Sequence, residues 1–149
     1  MNDKILVPLD GSKYADKALH WALDLADKYD ASIELLTVIP ITETFMTGTY
    51  STPGKIPLLG PSVDELKERA EKMLEEALQR AEKSKSNLKI STKILEGRPS
   101  DKIVETAKEE GFDLIVMGSR GLHGVKEFFL GSVSDRVADE ATCTVVIVK

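Results

Sequence analysis

Three short runs in this chain, Ile5-Leu6-Val7, Leu114–Met117 and Val145–Val148, are apolar without interruption. A strand with one face in water alternates apolar and polar residues. A strand buried on both faces does not, and parallel sheets covered by helices are built from such strands. Between the runs the period changes to that of a helix. Ala15, Ala18, Leu19, Ala22 and Ala26 predict an amphipathic helix over about Lys13–Tyr29, capped by Ser12. Ser62-Val63-Asp64-Glu65 is a capping box, and Leu66, Ala70, Met73, Leu74, Ala77, Leu78 and Ala81 form the core stripe of the helix after it. Ser100 is expected to cap a shorter helix carrying Ile103, Val104 and Ala107, with Gly111 just past its end. A last helix runs over about Ser132–Glu140.

The strands expected between these helices are Lys4–Leu9, Ile33–Ile39, a third around Leu88–Ile94, Leu114–Met117 and Val145–Val148. In the third, Leu88, Ile90, Thr92 and Ile94 alternate with Lys89, Ser91 and Lys93, as on a sheet edge. Pro8 cannot donate to a ladder and is expected at its strand's end. Strands alternating with helices predict an α/β fold, a parallel sheet with right-handed crossovers. The segment 40–61 has no apolar period and exceeds the ~12–15 residues at which structureless loops become uncommon. Phe45, Met46, Tyr50, Ile56, Leu58 and Leu59 make it too apolar for a linker, so partial order against a neighbour is expected.

With 149 residues the chain is expected to be one domain, 1–149, burying about 68–70% of its unfolded surface. Twenty Lys and Arg against 25 Asp and Glu give a net charge of −5. That balance argues against nucleic acid and against an anionic membrane surface as partners. No stretch approaches the roughly 20 apolar residues of a membrane helix, and the start lacks the apolar run of a signal peptide. A cytoplasmic protein is expected. The single Cys143 reads as a small buried thiol, and His20 beside Trp21 as structural. No Cys–His, Ser–His–Asp or H-E-x-x-H constellation is present, which removes protease and zinc-hydrolase chemistry.

The stretch with most chemical content is Asp113–Ser134, DLIVMGSRGLHGVKEFFLGSVS. A buried strand breaks at Gly118 into a loop with Gly121, Gly124 and Gly131, and a helix start follows. Glycines let backbone N–H groups approach an anion, and a helix start adds unpaired donors and a positive dipole end. Neither a P-loop nor the dinucleotide fingerprint G-x-G-x-x-G is present. What stands instead is Gly118, two residues, Gly121, nine residues, then Gly131-Ser132.

This spacing resembles the ATP-binding branch of the universal stress protein family. The likeness extends over the I-L-V-P-L-D-G-S start, the L-L-T-V-I second strand and the V-V-I-V end. The resemblance implies a single-domain, doubly wound, Rossmann-like five-stranded sheet of order 3-2-1-4-5. Strands 1 and 4 would then be neighbours at a switch point, where ligands bind beyond the strands' carboxyl ends. It further implies an adenine nucleotide, ATP with Mg²⁺ held through the phosphates. The nucleotide contacts would be Pro8, Leu9, Asp10, Val38, Met117, Gly118, Arg120, Gly121, Gly131, Ser132, Val133 and Ser134. Asp10 is placed on the nucleoside side, since a carboxylate repels phosphates unless a metal intervenes; the alternative is a cap for the helix after Ser12. Val38 would meet the adenine edge with its backbone. Arg120 either clamps phosphate oxygens or pairs with an acidic neighbour. His123 is expected to be an exposed loop residue.

Thr144 departs from the family, many of whose members have proline there. The family pairs its last strand with a second copy, which implies a homodimer through Val145–Val148. The function expected is a nucleotide-dependent regulatory or stress-response module with an unidentified protein partner. The alternatives are a slow ATPase and a dimeric scaffold without nucleotide. For the ATPase, Arg120 and Lys126 offer charge, but the loop has no water-orienting Gln, Glu or Asp. A phosphoacceptor receiver fits poorly, because the third strand ends Leu95-Glu96-Gly97.

Overall fold

In the computed structural model, residues 3–41, 61–122 and 130–149 are described. The expectations for the apolar residues of segment 40–61, and for His123, Gly124 and Lys126, lie outside the described residues, as does all of 42–60. The elements are β1 (Lys4–Pro8), α1 (Lys13–Tyr29), β2 (Ser32–Pro40), α2 (Val63–Ser84), β3 (Ile90–Gly97), α3 (Pro99–Glu109), β4 (Leu114–Gly118), α4 (Ser132–Glu140) and β5 (Thr144–Val148). All five strands pair in parallel, in the order β3-β2-β1-β4-β5. The doubly wound sheet expected from the resemblance is therefore present.

Successive residues of the central strand divide between two cores. Ile5, Val7 and Leu9 pack with Ala18, Ala22 and Ala26 of α1 and Leu74, Ala77 and Ala81 of α2. Leu6 packs on the other face with Ile103 and Ala107 of α3 and Val137 of α4. Both faces are covered, which is why the runs show no alternation.

Local chemistry sets most boundaries. The Ser12 hydroxyl accepts from Ala15 N at 3.2 Å and the Ser62 hydroxyl from Glu65 N at 3.2 Å. Gly111 takes φ +66°, and Phe112 N donates to Ala107 O at 2.9 Å, closing α3. Ser100 does not cap α3. Pro99 occupies the first helical position, where its missing N–H costs nothing, so Arg98 becomes the N-cap and Ser100 lies buried inside the first turn. Cys143 is half-buried beside the α3/α4 core, and burial pushes its thiol pKa up.

Pro8 ends β1, yet β1 is the central strand. Leu9 N donates to Leu36 O of β2 at 2.8 Å, so by the ladder's alternation the N–H that Pro8 lacks would have pointed at β4. The β1–β2 ladder accordingly runs from Lys4 to Pro8, whereas the β1–β4 ladder holds only Ile5↔Leu114 and Leu6↔Ile115. The two central strands part at their carboxyl ends.

Candidate functional site

The parting of β1 and β4 is the switch point, since α1 leaves toward one face of the sheet and α4 belongs to the other. Three segments converge there: Leu9-Asp10 after β1, Gly118–Gly121 after β4, and the start of α4.

The helix start is held by a tight neck. Gly131 N donates to Ser119 O at 2.7 Å, and the Ser134 hydroxyl reaches Ser119 O at 2.9 Å and Gly131 O at 3.0 Å. Ser119 N in turn donates to Val148 O of β5 at 2.8 Å. The peptide of Ser119 thus ties the edge strand to the start of α4. Gly131 is the N-cap of α4 and has no side chain to close it. The first N–H groups of the helix, Ser132 and Val133, therefore have no intrahelical acceptor and form a donor set suited to an anion. Ser132 is exposed and Val133 half-buried. Ser134 is buried, and its hydroxyl is committed to the neck, so its part in the site is to hold the helix start in place.

The glycines of the motif do different work. A Cβ on Gly118 would lie 2.7 Å from the carbonyl carbon and Cβ of Tyr14 and 2.9 Å from its carbonyl oxygen. That glycine lets the first turn of α1 cross β4 in contact. A Cβ on Gly121 would lie 2.8 Å from Asp10 Oδ2, so the loop after β4 passes directly against the Asp10 carboxylate. A Cβ on Gly131 would meet Arg120 Cα and Ser119 O at 3.3 Å.

Asp10 is exposed and accepts from Ser12 N through Oδ1 at 2.9 Å, leaving Oδ2 turned toward the glycine loop. Asp10 does not cap α1, whose N-cap is Ser12; it holds the Ser12 N–H just ahead of the helix with one oxygen and leaves the other beside the glycine loop. Arg120 stands over the Tyr14 ring, 5.6 Å from its centroid. Met117 is buried in the α3/α4 core. Leu9 is buried on the α1/α2 side, and its carbonyl accepts the Thr37 hydroxyl at 3.0 Å. Val38 pairs with Leu95 of β3. Its own peptide faces the β1 side, because Leu36 does and the direction alternates. Val38 therefore presents backbone polar groups past the point where the β1–β2 ladder ends at Pro8↔Leu36.

Sequence reasoning missed Tyr14, Thr37 and Ser119. Ser119 has a local signal, since it is the first residue beyond β4. Its side-chain oxygen is buried without a hydrogen-bond partner. Among the described residues no cluster of His, Cys, Asp and Glu could hold a metal ion. No helix among them is long and apolar enough to cross a membrane.

A parallel sheet of this order, with a donor-bearing helix start beside a carboxylate at the switch point, is an α/β arrangement whose geometry suits a small anionic ligand. Comparison with known proteins narrows the class. The profile of the Universal stress protein family matches residues 1–149, and the chain belongs to that family. Universal stress protein YxiE of Bacillus subtilis is 37% identical, with 100% of each chain covered. Universal stress protein MJ0577 of Methanocaldococcus jannaschii is 34% identical, over 100% of this chain and 96% of that one. Among solved structures, the universal stress protein UspA from Lactobacillus plantarum superposes with a TM-score of 0.78 at 27% identity, covering 99% of this chain and 98% of its own. A universal stress protein solved in complex with cAMP superposes with a TM-score of 0.70 at 26% identity, covering 99% and 96%.

Proposed function

We propose that this protein binds an adenine nucleotide, ATP with Mg²⁺ on its phosphates, in the crevice between β1 and β4, and serves as a nucleotide-dependent stress-response module. The reading places it in the cytoplasm as a single-domain chain that pairs with a second copy along β5. The observation that carries it is the uncapped start of α4, held by the Ser119–Gly131–Ser134 neck beside Asp10. Phosphate oxygens would take the N–H groups of Ser132 and Val133, with Gly118, Gly121 and Gly131 clearing their approach. Asp10 Oδ2 would accept from the ribose, and the backbone of Val38 would meet the adenine edge. Pro8, Leu9 and Met117 would line the nucleoside side, and Arg120 would reach the phosphates from above Tyr14. A fold neighbour solved with cAMP supports an adenine nucleotide as the ligand class.

The test is calorimetric titration with Mg-ATP of the parent and of Ser132→Pro. Proline is tolerated at the first helical position, and Gly131 before it already has φ −64° and ψ 156°, which a following proline accepts. The variant therefore keeps the fold and removes one N–H donor and one hydroxyl. Saturable binding in the parent, weakened about ten-fold or more in a variant of unchanged melting temperature, is expected for one lost charge-assisted hydrogen bond. No binding heat and no thermal shift in the parent would overturn the nucleotide reading and leave the dimeric scaffold.

A further inference from the structure

The first turn of α1 and the loop after β4 meet on one aromatic ring. Because Gly118 has no Cβ, the backbone and Cβ of Tyr14 rest against the end of β4, and the side chain leaves α1 half-buried at a fixed point. Arg120, two residues beyond Gly118, holds its guanidinium carbon over that ring at 5.6 Å from the centroid, with its Nε buried. Its Cα lies beside the N-cap of α4, 3.3 Å from where a Cβ on Gly131 would stand. The Arg120 backbone is therefore at the helix start, while its charge is on the α1 side of the glycine loop. A ring face attracts a guanidinium without using any of its N–H donors, which stay available to an anion.

Two further cations share the ring. The ammonium groups of Lys13 and Lys17 lie 5.3 Å and 6.0 Å from its centroid. Of the acids next to them in the chain, Asp16 pairs with Arg80 of α2 at 3.2 Å. Asp10 gives Oδ1 to Ser12 N and keeps Oδ2 beside Gly121. Like charges gathered around one ring repel each other, and an anion brought among them relieves that repulsion. The expectation that His20 and Trp21 are structural fails, since both are exposed, and they stand about two turns further along α1.

We infer that Tyr14 is the positioning residue for Arg120, and that the pair gives the site a preference for nucleotides with more than one phosphate. The inference rests on the nucleotide reading above. The N–H groups of Ser132 and Val133 suit one phosphate group, whether or not others follow it. Arg120 carries its charge away from the helix start, so a guanidinium fixed there adds affinity for a nucleotide whose phosphates continue beyond the first. A long side chain that must be ordered at each binding event loses part of that gain to rotamer entropy. The Tyr14 ring orders it before the ligand arrives.

The test is calorimetric titration of the parent, Y14L, Y14F and R120Q with Mg-ATP and with AMP, read as the ratio of the two affinities. The parent is expected to favour ATP. Y14L keeps the Cβ that rests on Gly118 and removes the ring. It should lower the ratio about ten-fold or more, as should R120Q, the size of one charge-assisted hydrogen bond. Y14F retains the ring and should retain the parent's ratio. Y14L/R120Q should lower it no further than R120Q alone, because the ring acts through the guanidinium. Melting temperatures are compared throughout, and Y14M, whose flexible chain fills the ring's place, replaces Y14L if that variant unfolds. Equal loss of both ligands in Y14L would make Tyr14 a packing residue and overturn the inference. So would an additive double variant, or a Y14F that behaves like Y14L and so assigns the effect to the hydroxyl. A parent that binds both nucleotides equally would overturn the inference and leave the nucleotide reading standing, whereas a parent that binds neither would overturn both.

Discussion

Gly118 and Gly121 lack the same atom for different reasons, and substitution separates them. Alanine at Gly118 drives its Cβ into the backbone of Tyr14, which can yield only if α1 moves away from β4. Gly118→Ala is expected to cost about 1–3 kcal/mol, as overpacking does, read from the midpoint of urea unfolding. Alanine at Gly121 meets only the tip of the Asp10 side chain, which can rotate. Gly121→Ala should stay within about 1 kcal/mol of the parent, because the lost backbone freedom of the unfolded chain offsets a small strain. It should nonetheless weaken Mg-ATP binding, since it displaces the carboxylate set beside the loop. Equal destabilisation by the two variants would mean that Asp10 is fixed as rigidly as the α1 backbone. The cap residues could be read from the sequence because their chemistry is local: a hydroxyl at Ser12 or Ser62 finds an N–H three residues on. Tyr14 could not, because its meeting with Gly118 is made by the fold. Ser100 misled because Pro99 beside it competes for the same boundary.

Among the elements, β3 is fastened to β2 by charge as well as by its ladder. Lys93 of β3 lies 3.2 Å from Glu34 of β2 and makes a close ion pair with Glu110 after α3. Burial pushes the Lys93 ammonium down, but its hydrogen bonds to Glu110 and Glu34 outweigh that, and its pKa stands above the ordinary lysine value. A raised pKa means that the folded state holds the proton more tightly than the unfolded one. The pair's contribution is therefore complete below about pH 10.4, the unfolded value, and is lost as pH rises through the folded value. Lys93→Met should lower stability at pH 8 and leave a smaller difference from the parent at pH 11, measured by urea unfolding at both. A difference unchanged between the two would mean that Lys93 acts through its methylene stem. The edge position of β3 was legible in its alternating lysines. The course of β1 was only half legible. Pro8 announced a strand end, but not that its missing donor faces β4 and opens the crevice.

For the whole molecule, the outer side of β5 pairs with no strand among the described residues in the order β3-β2-β1-β4-β5, and Val145, Val146 and Ile147 are half-buried along it. A bare apolar edge invites another strand. Light scattering at micromolar concentration is expected to give twice the 16.4 kDa of one chain, and a mass of one chain would overturn the homodimer. The general plan, with Asp10 and the glycine loop at one crevice, was legible because the family resemblance implied the strand order, and the switch point follows from that order. The division of labour within the loop was not, because an absent Cβ looks the same in a sequence whatever it makes room for. That division has a consequence for descent. A lineage that gave up its ligand would be released at Gly121, where only a rotatable carboxylate objects. It would remain bound at Gly118, where the objection comes from the helix that covers the sheet. The motif would then decay one letter at a time, and a solitary glycine at the end of the fourth strand would be the trace that selection for folding leaves after selection for binding has gone.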